Sequence, residues 1–163
     1  MTVAKYLPLF KLRICSLITF SAIVGLIASA SGGVNFGKMA FLVIATMLAA
    51  ASASAFNHYF DSDIDSVMKR TRKRPLPSGD VAGSRTVLIM AAGLFILSLA
   101  VSFAALNYMV ALHLALGAFV YAVVYTAWLK RRSWVNIIIG GLAGSFAVLA
   151  GGASESPEFC APP

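Results

Sequence analysis

Apolar residues along this chain gather into five blocks, Ile14–Ala30, Lys38–Phe56, Thr86–Leu106, Tyr108–Leu129 and Trp134–Gly151, separated by short polar breaks. Each block approaches the ~20 residues that a helix needs to cross ~30 Å of hydrocarbon. The pattern predicts an all-α, polytopic transmembrane helical bundle of about five spans, forming one domain over residues 1–152. The breaks are tight. "SGGVN" (Ser31–Asn35) reads as a plain turn, and spans three and four meet almost directly at Asn107, as an antiparallel hairpin would. The fifth block contains Gly140 and Gly144 in "GGLAG", a small-xxx-small spacing that predicts close helix packing through those two glycines.

Composition agrees with the pattern. Of 163 residues, 60% are hydrophobic and 12% charged, about half the charged fraction of a soluble domain. The run "IASASGG" after a basic start resembles a signal-peptide cleavage site, but the later spans make an uncleaved first helix the simpler expectation. The net charge of +7 is laid out by topology. Lys5, Lys11 and Arg13 precede the first span, six basic residues fall between spans two and three, and Lys130, Arg131 and Arg132 fall between four and five. Only Lys38 belongs to the other set of loops. The positive-inside rule therefore places the N-terminus and both basic loops in the cytoplasm. No soluble domain remains to carry nucleic-acid binding. Cys15 and Cys160 are expected on opposite sides of the bilayer and so unpaired. No Cys/His cluster has metal-ligand spacing.

One segment departs from the pattern. All four aspartates lie between Asn57 and Asp80, beside Lys69, Arg70, Arg72, Lys73 and Arg74. "AFNHYFDSDIDSVMKR" has no glycine or proline, which predicts that span two continues as a helix toward Pro75. On such a helix Asn57, Asp61 and Asp65 fall at i, i+4 and i+8, one stripe of oxygen-bearing side chains, while Asp63 faces away. Two carboxylates one turn apart at a bilayer rim repel each other. A hard divalent cation removes that cost, and Mg²⁺ in particular is shared between carboxylates and substrate phosphates. The adjacent arginines match phosphate oxygens. A solvated loop that merely sets orientation would not need the aspartates, because acidic residues contribute little to topology. Pro75 and Pro77 should turn the chain back across the mouth of the bundle. In the second basic loop, Tyr121 and Tyr125 share a face, and Lys130 and Arg131 lie level with the aspartates, able to reach the same anion or simply to anchor the span with Trp128 and Trp134. His113 is expected to face the bundle interior and His58 the mouth.

The run N-x-x-x-D-x-D-I-D-x-x-M-x-R-T-R-x-R-P-x-P-x-G, satisfied from Asn57 to Gly79, resembles the first aspartate-rich motif of the UbiA-type intramembrane prenyltransferases. "DIDxxMxRTRxRP" is similar to the form found in the heme-farnesylating branch, and "YTAWLKRRSWVNIIIGGLAGS" resembles a later segment of the same enzymes. The resemblance covers residues 12–152. It implies a helical bundle around a central cavity, corresponding to part of a nine-helix fold. It implies a bacterial inner-membrane location and transfer of a farnesyl group from farnesyl diphosphate to the vinyl group of heme b, yielding heme O. By the motif, Asn57, Asp61 and Asp65 would hold Mg²⁺, with Asp61 and Asp65 catalytic. Arg70, Arg74, Tyr125 and Lys130 would contact the diphosphate. The family also carries a second aspartate-rich motif, whereas no aspartate follows Asp80 here. Together with the aperiodic tail 153–163, "ASESPEFCAPP", this leads us to expect the N-terminal half of such an enzyme, its tail a truncation or frameshift product, inactive alone. The alternative is a non-catalytic membrane fragment or a metal- or diphosphate-binding membrane protein. A CDP-alcohol phosphotransferase is disfavoured because its D-G-x-x-A-R opening is missing.

Overall fold

A computed structural model describes residues 5–81 and 83–155. Their order is a short 3₁₀ turn at Leu7–Phe10, then α1 (Leu12–Ser29), α2 (Phe36–Phe60), α3 (Ser62–Val67), α4 (Ser84–Ala105), α5 (Tyr108–Phe119) and α6 (Asn136–Ala153). Helix α5 runs on without a break into a π-helical segment, Val120–Leu129. Five of these helical segments are long and apolar enough to cross a membrane, and they match the five hydropathy blocks. The breaks behave as the sequence suggests. Asn35 caps α2 by accepting from the backbone N–H groups of Gly37 and Lys38, and Asn107 caps α5 by accepting from that of Val110.

The spans close a ring. Helix α2 packs on α1 and α4, α6 packs on α1 and α5, and α4 touches α5. Lipid tails supply no hydrophobic drive between helices, so small residues and interhelical hydrogen bonds hold such a ring. Helix α2 is rich in alanine and serine. Ser52 Oγ donates to the Ala91 carbonyl of α4 at 2.7 Å, Ser98 Oγ of α4 returns a bond to the Ala45 carbonyl at 2.8 Å, and Ser54 Oγ donates to the Leu9 carbonyl at 2.8 Å.

The close approach of α6 to its neighbour does not use the predicted glycines. A Cβ at Gly151 would stand 1.9 Å from the Ala22 carbonyl oxygen, and one at Gly25 would stand 2.1 Å from that of Val148. These two positions let α1 and α6 touch backbone to backbone. Gly144 instead faces open space, and Gly140 seats the ring of Tyr125, 3.0 Å from where its Cβ would be. Spacing alone marks a smooth strip on α6; it does not say which strip meets a helix and which meets a cavity.

The continuous helix expected up to Pro75 is also corrected. It is offset at Asp61, resumes as α3, and stops at Met68, whose ψ of 126° is extended. The segment beyond folds back in turns, with Leu76 and Val81 packed against Leu9, Ala55 and Val87. The chain thus does cross the basic end of the bundle, anchored there by side chains. Cys15 is buried and forms no disulfide among the described residues, its thiol donating to the Phe10 carbonyl at 2.9 Å. Cys160, Glu158 and most of the tail lie outside the described residues.

Candidate functional site

The offset at Asp61 leaves the acidic register intact. The Asp61 N–H still bonds to the Asn57 carbonyl at 3.0 Å, and the Asp65 N–H to the Asp61 carbonyl at 2.8 Å. Asn57, Asp61 and Asp65 therefore remain one turn apart on one stripe. All three point inward, being 1%, 4% and 4% exposed. Asp63 points out, its side chain 63% exposed.

Each member of the stripe holds one cation, and each cation comes from a different part of the chain. Lys11 Nζ donates to Asn57 Oδ1 at 2.7 Å. Lys130 Nζ pairs with Asp61 Oδ2. Arg74 Nη1 pairs with Asp65 Oδ2 at 2.6 Å. Asn57 Nδ2 braces the stripe, donating to Asp61 Oδ2 at 2.8 Å and to the Thr126 hydroxyl at 3.2 Å. Thr71 Oγ1 donates to the Asp65 carbonyl at 3.2 Å. A buried carboxylate without a partner would cost several kcal/mol, so the matched cations are what let two acids sit this deep.

The π-helix sets the far wall. Its wider turn sends the Thr126 hydroxyl back to the Tyr121 carbonyl at 2.8 Å and the Lys130 N–H to the Tyr125 carbonyl at 2.9 Å, five residues each. Such segments are uncommon and often serve functional sites. Here the segment aims Thr126 at Asn57 and Lys130 at Asp61. Tyr121 and Tyr125 stack at 5.2 Å, and Lys130 lies 5.8 Å above the Tyr125 ring. Nothing in the residue pattern of span four announces the change of pitch.

Two spaces meet at Lys11, the cation held by Asn57. Within the bundle is a cavity of about 300 Å³ between α1, α2, α5 and α6, lined by small and apolar residues such as Ala53, Gly117, Gly141 and Gly144, with His113 and Tyr121 on its wall. His113 is buried there, its Nδ1 2.8 Å from the Met109 carbonyl. Outside is an open cleft of about 640 Å³ carrying Lys5, Arg70, Lys73, Arg74 and His58. His58 is only 3% exposed, and neither ring nitrogen has a hydrogen-bond partner among the described residues. Lys11 lines both spaces.

The predicted site residues are not all gathered equally. Asn57, Asp61, Asp65, Arg74 and Lys130 converge. Tyr125 joins through its ring. Arg70 is exposed in the outer cleft, with no contact to the carboxylates among the described residues. Arg131 does not turn toward the stripe. It grips Asp63 with bonds of 2.8 and 3.0 Å and lies 4.8 Å over the Phe60 ring. That grip holds the Asp63 carboxyl below the usual carboxylate range. In the sequence Lys11 has only the marks of a topology residue, and nothing there signals that it bends inward to Asn57.

The donor set suits Mg²⁺, with two carboxylates and one carboxamide, all hard oxygen ligands in a buried setting that already accommodates positive charge. Among the described residues no group of three or more His, Cys, Asp or Glu is placed to hold a metal ion.

A family model described as the UbiA prenyltransferase family matches residues 18–162. The chain is 47% identical over 155 residues to protoheme IX farnesyltransferase 1 of Paramagnetospirillum magneticum, covering 94% of this chain and 54% of that protein. It is 43% identical over 146 residues to the protoheme IX farnesyltransferase of Pyrobaculum neutrophilum, covering 90% and 52%. It spans about half the length of the curated relatives it matches. Among solved structures, a UbiA homolog from Archaeoglobus fulgidus bound to DMAPP and Mg²⁺ superposes with a TM-score of 0.79 at 21% identity, covering 96% of this chain and 56% of that one. A structure from work on digeranylgeranylglyceryl phosphate synthase in membranes superposes at 0.83 with 23% identity, covering 93% and 53%. The last two likenesses speak for the fold.

Proposed function

Because the chain belongs to the UbiA prenyltransferase family, we propose that Asn57, Asp61 and Asp65 form the metal-holding wall of a prenyl diphosphate site. The reaction we assign to that site is farnesyl transfer from farnesyl diphosphate to the vinyl group of heme b. The observation that carries this reading is the matched stripe, in which three buried oxygen donors each meet one cation of the chain. Mg²⁺ bound there would offset the negative charge of the diphosphate and ease its departure.

The chain's own residues supply the rest. Arg74 and Lys130 stand beside the carboxylates, where an ammonium and a guanidinium can take diphosphate oxygens by charge-assisted hydrogen bonds. Arg70 lines the open cleft and would meet the anion on its way in. Tyr125 packs under Lys130 and limits where that ammonium can sit. The apolar cavity beyond the stripe accepts the isoprenoid tail and keeps water from it. In the reaction the allylic C–O bond breaks, its electron pair leaving on the diphosphate. The vinyl π electrons form the new C–C bond, and water captures the resulting cation with loss of one proton. Cations fixed where the leaving charge grows lower that barrier.

The charge asymmetry of the loops supports an orientation with the N-terminus and the acidic stripe in the cytoplasm, and the 47% identity to a Paramagnetospirillum magneticum protein favours the inner membrane of a bacterium. A second reading is favoured by one observation, the confinement of all aspartates to residues 61–80. With a single acidic wall, these 163 residues would bind metal and diphosphate but turn over little on their own. Incubating the purified chain with heme b, farnesyl diphosphate and Mg²⁺, and searching for heme O by mass spectrometry, separates the two. Turnover abolished by Asp61→Asn establishes a self-sufficient enzyme, and Mg²⁺-dependent binding without product establishes the binding wall.

A further inference from the structure

The apolar cavity inside the bundle ends on two polar side chains. From Asn57 back to Thr46, α2 runs ~16 Å away from the stripe. On the neighbouring span His113 lies at a similar depth below Thr126, the residue that meets Asn57 across the bundle. Both side chains line the cavity. One turn further on, Leu42 and Val110 are fully buried and pack with Leu26 in a single cluster, so the space closes there. Thr46 is 1% exposed, and its hydroxyl has no hydrogen-bond partner among the described residues. Valine would fill nearly the same shape without leaving a buried hydroxyl unmet. The ring of His113 is fixed, its Nδ1 2.8 Å from the Met109 carbonyl; a carbonyl only accepts, so that nitrogen carries the proton. Polar and ionisable side chains this deep in a membrane span are costly and mark a functional demand.

We propose that Thr46 and His113 form an end stop that limits the isoprenoid of the donor to the farnesyl length. This rests on the prenyl diphosphate reading of the stripe and adds the residues that set chain length. The first carbon of the donor must sit beside the diphosphate, and the ~16 Å from the stripe to Thr46 is close to the reach of an extended farnesyl chain. A longer chain would have to bury its end against a hydroxyl that hydrocarbon cannot satisfy. Behind that hydroxyl stands a packed layer with no room to yield. A shorter chain leaves part of the apolar wall uncovered and forgoes that burial. The stop therefore acts on the far end of the tail and leaves the diphosphate end untouched.

The test is calorimetric titration of the purified full chain, with Mg²⁺ present, against geranyl, farnesyl and geranylgeranyl diphosphate and against inorganic pyrophosphate. In the wild type, affinity should rise from geranyl to farnesyl and fall about tenfold for geranylgeranyl, the scale of an overpacked apolar site. Thr46→Leu raises the floor and should cost farnesyl about tenfold while leaving geranyl unchanged. His113→Ala lowers it and should bring geranylgeranyl to within about threefold of farnesyl. Thr46→Val guards against misfolding, since it keeps the shape and removes only the hydroxyl; it should melt no lower than wild type and bind geranylgeranyl about threefold more tightly. Inorganic pyrophosphate, which has no tail, should bind alike in all four chains. A wild type that takes geranylgeranyl as well as farnesyl overturns the end stop and leaves the stripe reading standing. So do Thr46→Val and His113→Ala chains whose order of preference among the three tails is unchanged. A wild type that binds neither pyrophosphate nor any prenyl diphosphate overturns the stripe reading itself, and the end stop with it.

Discussion

Asp63 and Arg131 meet through two hydrogen bonds, 2.8 and 3.0 Å, on the outward face of α3, turned away from the buried pair Asp61 and Asp65. Three aspartates within five residues thus divide into two tasks. Asp63 ties the loop after the π-helix to α3. Asp61 and Asp65 face the bundle interior, paired with Lys130 and Arg74. Asp63→Asn should therefore change Mg²⁺-dependent farnesyl diphosphate binding by less than about threefold, while Asp61→Asn and Asp65→Asn should each lose about tenfold or more, the scale of a charge-assisted contact. Titration calorimetry on the three variants checks the division.

The outward pair has a pH signature. Its hydrogen bonds with Arg131 lower the Asp63 pKa in the folded chain. A depressed carboxyl pKa contributes stability that is present in full above the unfolded value of ~3.9 and fades as pH falls through the folded value. Hydrogen exchange in the 130–133 turn should accordingly be flat from neutral pH down to the ordinary carboxylate range and rise only below it, after correction for intrinsic rates. In Asp63→Asn that acid-triggered rise should disappear.

Packing of α1 on α6 depends on two glycines that are far apart in sequence. Gly151→Ala should push a methyl into the Ala22 carbonyl and destabilise the bundle by about 2 kcal/mol or more. Gly144→Ala meets open space and should be neutral or slightly stabilising through helix propensity. Thermal unfolding followed by size-exclusion chromatography in detergent compares them directly.

The cavity makes a separate prediction about the tail of the ligand. Ala53 is buried on its wall. Ala53→Phe should fill the space near the stripe and weaken farnesyl diphosphate binding by about tenfold or more, as overpacking and the lost apolar burial combine. Inorganic pyrophosphate, which has no tail, should bind as before. Equal losses for both ligands would place the isoprenoid elsewhere.

Much of this architecture is legible in the residues because its causes are local. Span length follows from hydrocarbon thickness, and the stripe of Asn57, Asp61 and Asp65 follows from helical period. The separation of Asp63 follows from the same arithmetic and survives the offset at Asp61. What the residues do not show depends on neighbours. The helix ends at Met68, with no glycine or proline before Pro75, where Arg74 reaches back to Asp65 and Leu76 packs on Leu9 and Ala55. The π pitch of Val120–Leu129 has no composition of its own, and it is what brings Thr126 and Lys130 to the stripe. Lys11 reads as an orientation charge until the left-handed turn sends it to Asn57. Gly140 and Gly144 have the spacing of a helix contact, yet Gly25 and Gly151 make one.

Metal-mediated binding of a prenyl diphosphate to the buried stripe is measured by titrating farnesyl diphosphate into the purified chain, with and without Mg²⁺, in wild type and in Asp61→Asn. Binding should require Mg²⁺ in the wild type and be lost in the variant. Binding that ignores Mg²⁺, or that survives Asp61→Asn undiminished, would contradict it.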